Sequence, residues 1–185
     1  REGGLMADVQ PNRAHYALAE LEKIGKLSCV ITQNVDNLHQ KAGNSPHRVY
    51  ELHGNLQRIV CMQCDRRYPI DVVKEQPLSS DFSLHCHACR GLLKPDVVLF
   101  GEMLPQDVLA RATQEANQCD FLMVIGSSLF VYPAAYLPLY AKRAGAKIAI
   151  INMGETQQDD LADVRIDAPA GEAMSRLVEK VKEKI

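Results

Sequence analysis

The chain has 185 residues, 46% of them hydrophobic, and a formal net charge of −2, which suits one globular domain or one domain with a small insertion. Both signs of charge are dispersed, so neither nucleic acid nor an anionic membrane is expected as a direct partner. The longest apolar run, Phe121–Ile125, is too short to span a bilayer, and no signal peptide is visible. A cytoplasmic protein is therefore expected.

The first elements are predicted from apolar spacing. A helix is expected over 14–24, with Asn12 as its N-cap and Gly25 as its stop. The apolar, partly β-branched run 27–32 predicts a buried strand, and 49–52 a second short extended piece.

The composition changes at residue 57. Apolar residues become sparse, while cysteines, charged residues, Pro69, Pro77 and the cluster Ser79-Ser80-Asp81 appear. We interpret 57–94 as an inserted module, and 1–56 together with 95–185 as one domain.

Strands and helices alternate after this module. The pattern predicts a helix over 105–117, a strand over 121–125, a helical stretch ending at Gly145, a strand over 147–151 and a final helix. The apolar face of that last helix comprises Met174, Leu177, Val178, Val181 and Ile185. Such alternation indicates an α/β fold with an open, doubly wound parallel sheet.

Four of the six cysteines form two CxxC pairs, Cys61 with Cys64 and Cys86 with Cys89, separated by 21 residues. Two such pairs complete a tetrahedral shell of four thiolates, which suits one zinc ion. Because four ligands leave no open position, the site is expected to be structural. The alternatives are two disulfides, four free thiols, or His85 or His87 replacing a cysteine as a ligand.

Three polar segments follow predicted strands, where ligands bind in open α/β sheets. They are residues 32–39 (TQNVDNLH), 51–54 (ELHG) and 126–129 (GSSL). The third suits a phosphate- or ribose-binding turn, because its small side chains leave backbone N–H groups free. Singly, each segment is also typical of an ordinary loop.

In order along the chain, TQNVDNLH, ELHG, the two CxxC pairs, KPDVVLFGE, GSSLFVYPAA and IINMGE resemble the sirtuin family of NAD-dependent protein lysine deacylases. The resemblance runs from Pro11 to the C-terminus, and its wording is closest to prokaryotic protein deacetylases. It implies a Rossmann-like NAD-binding domain with a zinc-ribbon module. It also implies NAD as co-substrate, one structural zinc ion and acetyl-lysine proteins or peptides as partners.

The resemblance assigns Gln33, Asn34, Val35 and Asp36 to the nicotinamide and ribose pocket. Asp36 would accept a hydrogen bond from the nicotinamide amide, and Asn34 would order water and the ribose. From the residues alone, a loop-capping role for Asp36 is the preferred interpretation.

His53 matches the general base of the family. In the reaction that the resemblance implies, the acyl oxygen of the substrate lysine attacks C1′ of the nicotinamide ribose and expels nicotinamide. His53 then removes a proton from the ribose hydroxyls, so that the 2′-oxygen can attack the imidate carbon. Imidazole suits this role because its ordinary pKa, about 6.5, lies near working pH. Water completes the formation of deacylated lysine and O-acyl-ADP-ribose.

The remaining matches fall at two places. The ribose, phosphate and adenosine contacts match Gly126, Ser127, Ser128, Asn152, Met153, Gly154 and Ala170. Two segments between which a substrate peptide would add as a strand match Leu99, Phe100, Gly101, Glu102, Phe130, Val131 and Tyr132. Core packing is the alternative for Phe130 and Tyr132.

The family's glycine-rich GAGxS turn and its GIPDFR loop are not found before Pro11. We therefore expect a chain truncated at its N-terminus, without the first, central strand of the sheet. This leaves open a catalytically inactive, zinc-stapled NAD- or peptide-binding module, and a preference for an acyl group other than acetyl. A conventional nicotinamide dehydrogenase fits less well, because no GxGxxG is present and His53 would have no role.

Overall fold

The computed structural model describes residues 9–72 and 84–185. One part of the molecule is built on parallel strands and the other on an antiparallel sheet. The helices are α1 (Arg13–Lys23), α2 (Leu38–Ala42), α3 (Gln106–Gln118), α4 (Leu137–Arg143) and α5 (Ala170–Lys182). The strands are β1 (Val30–Thr32), β2 (Val49–Glu51), β3 (Gly54–Cys61), β4 (Arg67–Pro69), β5 (Leu93–Val97), β6 (Phe121–Ile125), β7 (Lys147–Ile151) and β8 (Val164–Ile166).

The parallel strands form two ladders. β1 pairs with β2, and β6, β7 and β8 pair in that order. All of these pairings are parallel, as the alternation of strands and helices predicts. Among the described residues, no ladder joins β1 to β6, so the predicted sheet is present as two pieces.

Helices cover both faces of the three-stranded ladder. Ile148 and Ile150 of β7 belong to an apolar cluster with α3 and α4, whereas Ile151 belongs to a second cluster with α1 and α5. Because successive strand residues point to opposite faces, this division is the doubly wound arrangement. All three isoleucines are fully buried.

The third sheet is antiparallel, in the order β4-β3-β5. It runs from Gly54 to Val97 and therefore extends beyond both predicted boundaries of the 57–94 module, which stays a prediction. Residues 73–83, with Pro77 and the Ser79-Ser80-Asp81 cluster, lie outside the described part of the chain. Within the described ranges, no helix combines the length and the apolarity needed to cross a bilayer.

Two histidines are buried where α1 meets α2. The rings of His15 and His39 lie 4.8 Å apart, and Nδ1 of His39 has no hydrogen-bond partner among the described residues. The pKa of His39 is lowered to about 4, mainly by burial and also by the neighbouring His15, while Asp36 and Glu51 oppose the shift. Burial also lowers the pKa of His15, against an opposing effect of Asp36.

Acid is therefore expected to destabilise the fold through His39. The unfolded chain takes up this proton near pH 6.5 and the folded chain only near pH 4, so stability falls as pH falls between these values. Between pH 7.5 and pH 5 the loss from His39 should be about 2 kcal/mol. We expect His39→Leu to lose less stability than the wild type over this interval, as measured by urea unfolding. Equal losses in both proteins would contradict the assignment.

Candidate functional site

His53 lies at the reversal of the chain from β2 into β3 and is half-buried. Its carbonyl oxygen accepts a hydrogen bond from the N–H of Val98 at 3.0 Å, and its Nδ1 lies 3.0 Å from the carbonyl oxygen of Gln33. A carbonyl oxygen can only accept, so Nδ1 must carry the proton of the neutral ring. Nε2 is left unprotonated, as a general base requires.

Gly54 makes this reversal possible. Its φ is +81°, and a Cβ at this position would lie 2.0 Å from the carbonyl oxygen of Asp96 in β5. Only glycine therefore allows β3 to pass this close to β5 directly after His53.

Gly54→Ala is expected to lower the free energy of unfolding by about 3 kcal/mol, because the methyl group forces the two strands apart at a strained φ. The matched control is Gly145→Ala, at a φ of +98°, where the added Cβ would meet no described atom within 4 Å beyond its own chain neighbours. That change should cost about 1 kcal/mol, from backbone strain alone. Denaturant unfolding of both variants checks the difference, and equal costs would exclude the close approach as its cause.

The segment after β1 packs directly beside His53. The N–H of Asn34 donates to Oγ1 of Thr32 at 3.0 Å, and the carbonyl oxygen of Val35 accepts from the N–H of Leu56 at 2.9 Å. Asp36 Oδ1 accepts from the N–H of Leu38 at 2.9 Å, so this carboxylate caps the first turn of α2. Its contact with nicotinamide stays a prediction.

A group of polar side chains beneath His53 was missed by the sequence reasoning. Glu51 of β2 and Asn55 of β3 are hydrogen-bonded to each other, and Asn55 is also hydrogen-bonded to Asn37. Asn55 is 1% exposed. The available signal was a pair of polar residues, each two positions from His53, one at the end of β2 and one at the start of β3.

The predicted adenosine-end residues lie at the carboxyl ends of β6 and β7. The N–H of Gly126 donates to the carbonyl oxygen of Ile151 at 2.9 Å, and the N–H of Gln157 donates to that of Ser128 at 3.1 Å. The two predicted loops, containing Ser127 in one and Asn152, Met153 and Gly154 in the other, are thus joined. Ala170 is the first residue of α5.

Arg165 of β8 holds the second of these loops. Its guanidinium donates to the carbonyl oxygen of Asn152 at 2.9 Å and also to that of Gly154. Met153, between them, is 68% exposed. The loop therefore has a fixed backbone and an accessible apolar side chain.

The two predicted peptide-binding segments both present exposed apolar side chains. These are Leu99, Phe100, Phe130, Val131 and Tyr132, each more than half exposed. Core packing is therefore the wrong interpretation for Phe130 and Tyr132. The chain at Leu99 to Glu102 forms a turn, closed by the Glu102 N–H donating to the Leu99 carbonyl at 3.0 Å, with Gly101 at a φ of +88°.

The four cysteines of the CxxC pairs converge in the antiparallel sheet, with all their sulfur atoms within 4.8 Å of one another. Cys61 Sγ lies 3.4 Å from that of Cys89, and Cys64 Sγ lies 3.7 Å from that of Cys86. Sulfurs around a tetrahedral zinc ion lie about 3.8 Å apart, as Zn–S bonds of about 2.3 Å require. All four cysteines are free, so the disulfide alternative is wrong.

Two matching turns present these thiols. The N–H of Cys61 donates to the carbonyl of Arg66, and the N–H of Cys86 donates to that of Gly91. The residue after each pair, Asp65 or Arg90, has a positive φ. Both thiolates of a turn can therefore face one ion, and the donor set fits zinc.

Tyr68 supports the ligand set from β4. Its hydroxyl lies 3.1 Å from Cys86 Sγ, and this hydrogen bond, together with the backbone N–H groups of Ala88 and Cys89, lowers the pKa of Cys86 to about 6. The thiolate is the form that binds metal, so Tyr68 favours metal binding near neutral pH. His85 and His87 are not members of the cluster.

Comparison with known proteins gives concordant matches. The Sir2 family matches residues 2–133. An Archaeoglobus fulgidus protein named NAD-dependent protein deacylase 2 is 48% identical over 174 residues, which are 94% of this chain and 68% of the relative. A Pyrobaculum aerophilum protein named NAD-dependent protein deacetylase 1 is 48% identical over 95% of this chain and 67% of the relative.

Solved structures agree with the sequence matches. A Sir2 complex with a p53 peptide and NAD⁺ superposes with a TM-score of 0.86 at 42% identity, covering 98% of this chain and 75% of the solved one. A Sir2 enzyme bound to a propionylated peptide gives 0.86 at 42% identity, covering 98% and 76%. The chain thus spans about two thirds of the length of its curated relatives and about three quarters of the solved chains. From its family match, its relatives and its fold, this chain belongs to the Sir2 family, the sirtuins.

Proposed function

We propose that this protein removes acetyl groups from lysine side chains of other proteins and consumes NAD in doing so. The observation that carries the proposal is the contact between His53 Nδ1 and the Gln33 carbonyl at 3.0 Å. This contact joins His53, whose Nε2 is unprotonated, to the segment that receives nicotinamide according to the family resemblance. The names of the relatives and the NAD⁺ and peptide of the solved complex support it.

The residues of this chain would act as follows. When bound, NAD supplies an activated ribose carbon, with nicotinamide as the leaving group. Gln33, Asn34, Val35 and Asp36 would surround that end of the dinucleotide. His53 Nε2 would take a proton from a ribose hydroxyl, and the neutral ring would become an imidazolium whose Nδ1–H still donates to the Gln33 carbonyl.

The other end of the dinucleotide would lie at the carboxyl ends of β6 and β7. Gly126, Ser127 and Ser128 would contact ribose and phosphate, and the loop Asn152, Met153 and Gly154 would contact adenosine near Ala170. Supporting this are the positive φ of Gly126, which turns the backbone sharply, and the fixed backbone held by Arg165. Carboxyl ends of parallel strands are where such folds bind dinucleotides.

The substrate protein would lie between two segments with exposed apolar side chains, Leu99 and Phe100 beside Gly101 and Glu102 in one, and Phe130, Val131 and Tyr132 in the other. Groups of exposed apolar side chains are typical of interaction sites. Main-chain pairing there would tolerate many peptide sequences.

A zinc ion held by Cys61, Cys64, Cys86 and Cys89 would stabilise the neighbouring sheet. We also propose a cytoplasmic location, which suits free thiols acting as metal ligands.

The test is peptide-dependent release of nicotinamide. Purified full-length protein is incubated with NAD and an acetyl-lysine peptide, the same peptide without the acetyl group, or no peptide. Nicotinamide should appear only with the acetylated peptide. Equal release without peptide would indicate simple hydrolysis of NAD, and no release in any reaction would favour an inactive NAD- or peptide-binding module.

A broader acyl range is the second candidate. It is favoured by the relative named a deacylase and by the similar structure that holds a propionylated peptide. Comparison of acetyl-, propionyl- and succinyl-lysine peptides at equal concentration separates the two. Deacetylation as the main activity requires the highest kcat/KM for the acetylated peptide.

A further inference from the structure

The buried polar side chains of Glu51 and Asn55 have no assigned part in the reaction. Asn55 is buried at 1% exposure, and the side chain of Glu51 is 11% exposed. Both flank His53 by two residues, one on β2 and one on β3. Buried polar side chains are costly unless every donor and acceptor is satisfied, so their partners are informative.

Glu51 is fully engaged. One carboxylate oxygen accepts hydrogen bonds from Gln40 Nε2 at 2.7 Å and Asn55 Nδ2 at 2.5 Å. The other accepts from the Arg58 guanidinium at 2.9 Å, which neutralises the charge. Gln40 lies in α2, directly after the proposed nicotinamide segment, so Glu51 joins that helix to β3.

The orientation of the Asn55 amide follows from its neighbours. Its Oδ1 accepts from the N–H of Gln57 at 2.8 Å, so Nδ2 must face the other two partners. Nδ2 donates to Glu51 and to Asn37 Oδ1, the latter at 3.0 Å. Asn37 has a φ of +63° and belongs, with Gln40, to the segment from Gln33 to Gln40.

These contacts hold the Gln33 carbonyl oxygen within hydrogen-bond distance of His53 Nδ1. The Gln33 carbonyl that holds His53 Nδ1 belongs to the segment whose far end is bonded to Asn55 and Glu51. If that segment moves away, the carbonyl no longer selects the Nδ1–H form of the ring. The other tautomer has its proton on Nε2 and cannot accept one there.

We propose that Glu51 and Asn55 are positioning residues that hold the segment from Gln33 to Gln40 against His53 and so keep Nε2 free as the base. The role rests on the proposed function for its consequence in catalysis. The tautomer itself is a property of the unliganded protein and can be measured separately.

Asn55→Asp is the disrupting variant, because it places a second carboxylate against Glu51 with no hydrogen between them. The double variant Glu51→Gln/Asn55→Asp exchanges the two groups. Its new amide at position 51 can donate to the new carboxylate at 55, and the total charge is that of the wild type. Gln40 and Asn37 satisfy the exchanged pair by turning over their amides. Asn117→Asp is the control, on the exposed surface of α3.

Two reactions distinguish positioning from general stability. Exchange of labelled nicotinamide into NAD requires expulsion of nicotinamide but no proton removal by His53, whereas product formation requires both. Asn55→Asp should lower kcat for product formation by about 10- to 100-fold. We expect a clearly smaller effect on exchange and little change in KM for the peptide. The exchanged pair should recover most of the loss, and Asn117→Asp should match the wild type.

Ring nitrogen NMR of His53 in unliganded protein gives the second measurement. The wild type and the exchanged pair should show the Nδ1–H tautomer, and Asn55→Asp a mixture of both tautomers. Equal losses of exchange and product formation with an unchanged tautomer would overturn the proposal, as would no recovery in a folded double variant. An inactive wild type would instead overturn the proposed function, while the NMR result would still decide the tautomer.

Discussion

His53→Ala is expected to lower the rate of peptide deacetylation by about 100- to 10,000-fold, because it removes the base that takes the ribose proton. His53 is half-buried, and its side chain is hydrogen-bonded to the Gln33 carbonyl. The variant should therefore remain folded. Initial rates with saturating NAD and acetyl-lysine peptide measure the loss, and circular dichroism checks the fold.

His47→Ala is the matched control, since His47 is exposed and lies outside the proposed site. Its contact with Arg111 is made by the main-chain oxygen and survives the change. It should retain wild-type activity. A His53→Ala protein that keeps more than about a tenth of the wild-type rate would exclude His53 as the general base.

Loss of the metal is expected to have the largest structural effect. Cys61 and Cys86 are fully buried, and the four thiols hold together turns that have little apolar core of their own. Binding of structural zinc supplies about 10–16 kcal/mol in small zinc peptides, so the antiparallel sheet should not persist without it. Strong chelators, or Cys86→Ser, should abolish cooperative unfolding of this part and make it sensitive to protease.

Elemental analysis checks the same prediction. The purified wild type should contain about one zinc ion per chain, and Cys86→Ser much less. Cys119→Ser should keep its zinc, because Cys119 lies outside the cluster, at the end of α3, with its thiol bonded to the Ala116 carbonyl at 3.3 Å. A wild type well below one zinc per chain would contradict a metal site here.

The apolar strands of the three-stranded ladder were predictable from the sequence. Strands β6 and β7 have the predicted bounds, 121–125 and 147–151, because uninterrupted apolar runs are typical of strands buried on both faces. The Asn12 cap was also predictable, since its side chain accepts from the backbone of Ala14 and His15. These features depend on residues close together in sequence.

Elements fixed by distant partners were not predicted. Strand β3 contains the polar residues Asn55 and Arg58, whose partners Asn37 and Asp96 lie far away in the sequence. Helix α2 has only five residues and begins after Asp36 and the left-handed Asn37, a start that no apolar period reveals. Strand β1 is shorter than the predicted 27–32, because only 30–32 pair with β2.

The end of the last helix, α5, was also not predicted correctly from the sequence. It ends at Lys182, and Ile185, expected on its apolar face, lies beyond it and is 68% exposed. Met174 and Val178 are buried against α1, as the spacing predicts. Strand β8 was missed, because its three residues have a charged Arg165 at their centre.

Only part of the candidate site could be predicted from the sequence. The zinc ligands follow from spacing, because each CxxC pair is a local structure that faces one ion. The closeness of His53 to the segment after β1 was implied by the family resemblance. Periodicity could not provide it, since the two residues lie 20 positions apart in the sequence, with α2 and β2 between them. The contacts among Glu51, Asn55 and Asn37 could be found only in three dimensions.

The most direct test of NAD-dependent deacetylation is a balance of its products. Full-length protein, NAD and an acetyl-lysine peptide are incubated, and nicotinamide, deacetylated peptide and acetyl-ADP-ribose are quantified by mass spectrometry. The three should form in equal amounts, with none formed when NAD is omitted. Deacetylation that proceeds without NAD, or that yields free acetate while NAD remains intact, would contradict the proposed reaction.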